Sequence, residues 1–478
     1  MSNTAQSLAS RRIASLLDEN SFVEIGGYVT ARNTDFNMQQ TETPGDGVVT
    51  GYGVIDGHLV YVYSQDSSVL GGTIGEMHAK KIVALYNLAL KTGAPVIGIL
   101  DCAGLRLQEA TDSLNAFGEI YMKQAEASGV IPQITAIYGR CGGGLALVPA
   151  LSDFTLMEGK KAELFVNSPN ALDGNRKEVC DTASAAFQSE ESGLVDFIGT
   201  EDEIAAQIRE LVCMLPANNE DDLSYEECTD DLNRASADLA NAAGDTSILL
   251  ADIADDNVFV EVKSAYAQDM VTGFIRMNGT TIGVVANRTE IIGEDGTAVK
   301  TFDNVLSALG AGKAAEFVEF CDAFEIPVLS LTNVAGFKAT KCSEKRIAKA
   351  AAKLTYAFAN ATVPKVNVII GKAFGSAYIA MNSKAIGADM TFAWSQAQIG
   401  MMDAQSAAKI MYADADAKTV NEKAAEYAAL QSSALAAAKR GYVDNIIEAE
   451  DTRKYVIGAF EMLFTKRDER PMKKHGTV

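Results

Sequence analysis

The strongest constraint in the sequence is a duplication held in register. TGAPVIGILDCAG ends at Gly104 and FEIPVLSLTNVAG ends at Gly336. VIPQITAIYGRCGGG ends at Gly144 and TVPKVNVIIGKAFGS ends at Ser376. Pro95 and Pro327, Gly104 and Gly336, Pro132 and Pro364, and Gly139 and Gly371 share one spacing of 232 residues. Looser matches come earlier: LLDENSFVEI (16–25) with IADDNVFVEV (253–262), and VTGYGVIDG (49–57) with VTGFIRMNG (271–279). Single βα units resemble one another by chance, because a proline, an apolar run and a glycine recur in α/β proteins. A register kept through two strands and the helix between them is the mark of a repeat. A chain of 478 residues also exceeds what one core usually serves. Two related domains are therefore expected. Residues 215–245 are acidic and poor in branched apolar side chains, as a linker with some helix would be. The boundary is placed near 245, giving domains 1–245 and 246–478.

Each half has the same coarse order. A helix comes first, then a β-hairpin with Asp56-Gly57 or Asn278-Gly279 at its turn. A long helix follows, GEMHAKKIVALYNLALK or LGAGKAAEFVEFCDAF. The apolar runs VIGIL and VLSL read as buried strands, as do ITAIYG and VNVIIG after another helix. Near-continuous apolar strands alternating with helices predict the α/β class with covered, mainly parallel sheets.

The second strand of each half runs into a Gly-rich turn and a new helix. In the first half this is Tyr138-Gly139-Arg140-Cys141-Gly142-Gly143-Gly144, and in the second Gly371-Lys372-Ala373-Phe374-Gly375-Ser376-Ala377. Glycine permits close backbone approach and positive φ. Peptide N–H groups at a helix start are unpaired and carry the positive end of the dipole. Such donors can hold a developing oxyanion. Tight strand–helix packing is the alternative for one such turn. Two turns at matching positions favour the chemical reading.

Composition excludes other classes. With 63 Asp+Glu against 41 Lys+Arg the formal net charge is -22, which repels nucleic acid and anionic membranes. Seven cysteines, an odd number without C-x-x-C, indicate neither a disulfide framework nor a zinc ribbon. Three histidines leave little for a metal site or a triad, and no metal is expected. The N-terminal residues lack a signal peptide's apolar core, and no apolar run reaches about 18 residues. Cytoplasmic location without membrane insertion is the expectation. No G-x-x-x-x-G-K-[ST] loop, Ala-Met-Lys-Met biotin-attachment sequence or G-x-S-x-G elbow occurs.

Five segments and the tail together resemble the carboxyltransferase subunits of biotin-dependent acyl-CoA carboxylases and decarboxylases. They are residues 57–82, LDCAGLRLQEATDSL (100–114), 128–154, FCDAFEIPVLSLTNVAGF (320–337), 356–378 and the tail 466–476. The likeness extends to propionyl-CoA and acetyl-CoA carboxylases and to methylmalonyl-CoA decarboxylase. It implies two tandem crotonase-like ββα-superhelix domains, the first binding acyl-CoA and the second biotin. It implies a homo-oligomer, dimer to hexamer, with active sites between the N-domain of one subunit and the C-domain of another. Biotin would arrive on a biotin carrier protein, and a biotin carboxylase or membrane decarboxylase subunit would be the further partner. By resemblance, Gly143 and Gly144 form one backbone oxyanion pair and Ser376 and Ala377 the other. Gly142, Gly104, Arg106, Gly375 and Ile379 would line the substrate sites.

The chain departs from the family pattern in three places. Cys102-Ala103-Gly104-Leu105-Arg106 stands where the family has S-G-G-A-R. CDTASAAFQSEESGLVD (180–196) keeps only Ser192-Gly193-Leu194 of a G-G-A…H…S-G motif. KATKCSEKRIAKAAAK (338–353) replaces a Gly-rich loop with Gln-Glu and Arg-His-Gly. Lys338, Lys341, Lys345 and Arg346 there read as a solvated helix face beside Ile347, or as a patch for a CoA phosphate or an acidic carrier. Arg140 and Lys372 meet anionic ligands or are exposed structural residues. His78, Phe392 and Trp394 read as packing. The competing functions are a biotin-independent crotonase-type acyl-CoA enzyme, with Glu109 or Glu119 as its weak acid/base candidates, and a catalytically silent assembly paralogue.

Overall fold

The computed structural model describes residues 7–32, 36, 38, 41–221 and 225–471. The chain divides into two compact units, Met1–Ser224 and Tyr225–Val478. The second unit therefore starts before the boundary placed near 245. The reason is polar anchoring of the acidic segment. Tyr225 bridges Thr280, the Ser236 N–H donates to the Glu450 carbonyl at 3.1 Å, and Arg453 reaches the Asp231 carbonyl at 3.2 Å. Low hydrophobicity concealed this, because long-range hydrogen bonds and a single buried branched side chain, Leu239, hold the segment beyond Ser224.

The first unit contains β1 (Val23–Ile25), β2 (Val48–Ile55), β3 (His58–Gln65), β4 (Val96–Cys102), β5 (Gln133–Gly142), β6 (Phe154–Glu158), β7 (Glu163–Phe165) and β8 (Phe197–Gly199). They form one sheet in the order β1-β2-β3-β4-β5-β6-β8, with β7 against the end of β5. The second unit contains β9 (Phe259–Val262), β10 (Met270–Met277), β11 (Thr280–Asn287), the separate hairpin β12 (Glu290–Ile292) and β13 (Ala298–Thr301), then β14 (Val328–Val334), β15 (Lys365–Phe374), β16 (Met390–Trp394), β17 (Gln398–Gly400) and β18 (Asn445–Ile447). Its sheet runs β18-β16-β15-β14-β11-β10-β9, with β17 against the end of β15. The two sheets are the same sheet twice, as the duplication requires.

Local chemistry explains the elements. Asp56 and Gly57, and Asn278 and Gly279, all have positive φ, as the tightest hairpin turn demands. β3, β4, β5 and β6 pair in parallel, as do β11, β14, β15 and β16. Their apolar side chains are buried, for helices cover the strands. The long helices Glu76–Thr92 and Ala308–Ala323 bury Ile82, Leu85 and Tyr86 in one unit, and Phe317, Val318 and Cys321 in the other. Phe392 and Trp394 fill the second core, as expected.

Polar anchors are also duplicated. The Asp101 N–H donates to the Gln65 amide oxygen, and the Asn333 N–H to that of Asn287. Asp153 accepts from the Gln133 N–H at 2.7 Å, and Asp389 from the Lys365 N–H at 2.8 Å. Buried Lys81 donates to the carbonyls of Gly45 and Val48, and buried Lys313 to those of Lys263, Tyr266 and Met270. Each lysine fastens the loop before a hairpin to the long helix, satisfying carbonyls that no strand could pair.

Candidate active site

The pairing of β4 with β5 breaks register between Leu100 and Cys102, and that of β14 with β15 between Thr332 and Val334. Both second strands therefore bulge at the same place in the repeat, and pairing resumes at Cys102 with Cys141 and at Val334 with Ala373. Gly139 and Gly371 lie within this bulge. A Cβ on Gly139 would lie 2.0 Å from Asp101 Oδ1, and one on Gly371 would lie 2.5 Å from Asn333 Oδ1. Only glycine lets these polar side chains lie across the emerging turn.

In the first unit β5 passes into a 3-10 turn, Gly143–Ala146, and a short helix, Leu147–Ala150. Gly143 has φ +65°, and nothing lies within 4 Å of where a Cβ would stand. Its face is open, and the N–H groups of Gly143 and Gly144 precede the ladder of their own turn. The Gly144 carbonyl is fixed by the Tyr121 hydroxyl at 2.6 Å. Tyr121 in turn stacks on Phe117, with ring centroids 5.6 Å apart. Gly142 is packed by the Phe165 ring. A cleft of about 370 Å³ adjoins the strand end before this turn, lined by Gly142, Cys102, Ala103, Arg140, Glu163 and Lys177 among others, but not by Gly143 or Gly144. The Gly142 backbone and the loop just before Gly104 thus meet in one cavity. Gly104 itself has φ +106° with open space beside it.

In the second unit β15 leads directly into the helix Gly375–Ala380. Gly375 has φ +63°, matching Gly143. The repeat places Gly375 opposite Gly143 and Ser376 opposite Gly144. The expected pair Ser376 and Ala377 therefore stands one residue beyond the duplicated position of Gly143 and Gly144. Ser376 is exposed and Ala377 is buried. Ile379 is 36% exposed and Met401 is 74% exposed, with the Met401 carbonyl against Gly375. Both helices that follow the turns are too short for a large macrodipole, so any anion held here relies on individual N–H groups.

Arg106 corrects a prediction. It was expected to meet substrate, but its side chain is buried and its guanidinium is spent within the protein. It bonds Asp46 at 2.5 Å, Glu109 at 2.9 Å and the Thr73 carbonyl at 2.7 Å. Arg106 thus holds the loop after β4 instead of lining the cleft. The same network removes Glu109 as an acid/base candidate, since its other oxygen accepts the Glu76 N–H at 2.6 Å. Glu119 is exposed and takes a hydrogen bond from Asn115. His78 is buried among Asp46 and Gln65, and burial lowers its pKa to about 3, so the ring is neutral packing. Burial raises the Cys102 thiol to about 12 and pushes the Cys141 thiol well up, so neither is a nucleophile.

Three participants had no sequence signal. Tyr121 is one aromatic residue on a helix like any other. Glu163 and Lys177 pair at 2.6 Å, with Arg140 at 3.6 Å from Glu163, only because β7 returns beside β5. Replacing Tyr121 by phenylalanine is expected to lower kcat about fivefold to tenfold while leaving KM for acyl-CoA little changed, by loosening the Gly144 peptide. Steady-state kinetics of that variant, with an unchanged melting temperature, is the check.

The carboxyl transferase domain family matches residues 3–478. The chain belongs to this family. It is 39% identical to methylmalonyl-CoA decarboxylase subunit alpha of Veillonella parvula, over 98% of this chain and 92% of that protein. It is 39% identical to the propionyl-CoA carboxylase beta chain of Roseobacter denitrificans, over 98% of this chain and 93% of that one. Among solved structures, transcarboxylase 12S, a hexamer with hydrolysed methylmalonyl-coenzyme A bound, matches with a TM-score of 0.90 and 36% identity. That match covers 98% of this chain and 92% of the other. The two duplicated sheets are thus tandem crotonase-like domains, and the chain is a carboxyltransferase component of an acyl-CoA carboxylase or decarboxylase. No helix among the described residues is long and apolar enough to cross a membrane.

Proposed function

We propose that this carboxyl transferase moves a carboxyl group between biotin, borne on a separate carrier chain, and an acyl-CoA. The observation that carries the reading is the duplicated turn: Gly143 and Gly375, both at positive φ, each begin a helical turn after a bulged strand, where the first N–H groups lack intrahelical partners. Transfer of this kind develops negative charge on two carbonyl-type oxygens. The Gly143 and Gly144 amides would hold the thioester oxygen as an enolate forms at the acyl α-carbon. The Gly375, Ser376 and Ala377 amides would serve the ureido oxygen. Exposed Ile379 and Met401 beside them suit an apolar ring system. When bound, biotin supplies the ureido nitrogen that bears the carboxyl group.

What the chain contributes is position and electrostatics. Glu109 is occupied, and His78, Cys102 and Cys141 are buried, so none of these four serves as a general base at the first turn. Tyr121 fixes the Gly144 peptide, and Arg106 fixes the loop that bounds the cleft.

The test is to incubate the purified chain with propionyl-, malonyl- and methylmalonyl-CoA, with and without free biotin. Biotin-dependent exchange or release of CO2 is the expected result. Turnover indifferent to biotin would identify a biotin-independent acyl-CoA enzyme. No turnover, with carrier and subunit binding retained, would identify an assembly paralogue.

A further inference from the structure

Residues 338–349 place five cations, Lys338, Lys341, Lys345, Arg346 and Lys349, around a single carboxylate, Glu344. All five are exposed. Lys341 lies on the helical turn Lys341–Glu344 and Lys349 on the helix Ile347–Asn360, while Lys345 and Arg346 form the turn between them and Lys338 precedes both. Thr340 caps the first turn through the Ser343 N–H at 3.1 Å, and buried Ser343 and Ile347 turn the opposite side inward. None of the five forms an ion pair among the described residues, whereas nearby Lys353 pairs with Glu316 and Lys384 with Asp444. Five unpaired cations in a chain of net charge -22 are a local reversal of sign.

Their place matters. Lys338 follows Gly336 and Phe337 at the end of β14, and its N–H donates to the Leu306 carbonyl at 3.0 Å. β14 pairs with β15 through Val334 and Ala373, just before Gly375. The cationic run therefore begins at the strand ends that carry the second amide turn. It spreads along a loop end, a helical turn and the start of a longer helix, a span that fits an extended acidic surface better than one phosphate group.

We infer that residues 338–349 are the docking face for an acidic surface of the biotin-bearing carrier chain. This rests on the proposed function. The net negative charge of this chain repels acidic macromolecules at a distance, and the patch gives them one attractive approach beside the turn that receives biotin. Exposed charges of this kind act on encounter rate and salt dependence more than on the chemistry.

The experiment uses the full chain and the double variant Lys341→Glu/Lys345→Glu, with biotin supplied free or on a biotinylated carrier protein of net negative charge. The expected result is a KM for the carrier raised about tenfold, with free-biotin kinetics unchanged and the salt dependence of carrier use flattened. An unchanged KM for the carrier would overturn the inference. So would an equal loss with free biotin, which would place the lysines in the chemistry or the folding. A raised KM for acyl-CoA that disappears with dephospho-CoA thioesters would reassign the face to a CoA phosphate. A changed sedimentation coefficient would reassign it to a second copy of this chain. Direct carrier binding to wild type and variant, measured by calorimetry, decides the docking question even where biotin-dependent turnover is absent.

Discussion

Gly143→Pro is expected to lower kcat for carboxyl transfer at least about 100-fold, the usual cost of losing one oxyanion donor. Proline removes the N–H and demands φ near −65°, whereas Gly143 sits at +65°. The turn must therefore both lose a donor and reorganise. KM for acyl-CoA should change far less, because the donor acts on charge that develops only in the transition state. Gly143→Ala is the control. A methyl group meets nothing within 4 Å there and keeps the N–H, at a backbone strain of about 1–2 kcal/mol. Alanine should retain most of the activity that proline destroys. Equal loss in both variants would mean that the conformation of the turn, not its amide, is what matters.

Arg106→Met should destabilise the protein by about 3–5 kcal/mol, the range for breaking a buried ion pair from one side. The variant leaves Asp46 and Glu109, both buried, facing each other without the cation that bridges them at 2.5 and 2.9 Å. pH dependence distinguishes this cause from lost packing. In the folded wild type, burial raises Asp46 to about 6 against the pull of Arg106, above its ordinary 3.8. A raised carboxyl pKa gives stability that is fully present below about pH 4 and declines as pH rises through 6. Removing Arg106 takes away the interaction that opposes the rise, so the variant's deficit should be larger at pH 8 than at pH 5. Urea denaturation at the two pH values measures it. A deficit independent of pH would show that packing alone was lost.

The repeat, the hairpins and the two turns were legible because each depends on local backbone chemistry. Asn278-Gly279 specifies a turn wherever it occurs, and a glycine at a strand exit signals its need for positive φ within a few residues. Apolar strands such as VIGIL revealed burial because their composition is the burial. The constant spacing between Gly139 and Gly371 carried the fold and the position of both amide turns. By contrast, nothing near Arg106 in the sequence announces Asp46, sixty positions away along the chain. Its motif suggested a ligand contact, and only the folded loop showed the charge already neutralised. The same holds for Tyr121 and Gly144, joined across a helix and a strand. The acidic segment after Ser224 read as linker because its anchors are long-range hydrogen bonds. Sequence by itself determined what short-range sterics and periodic burial dictate: two α/β domains of one design, each with a glycine turn at a strand end. Tertiary structure alone decided which charged side chains are consumed inside the protein and which remain to meet a ligand, because pairing across the chain is set by where strands return, not by neighbours in sequence.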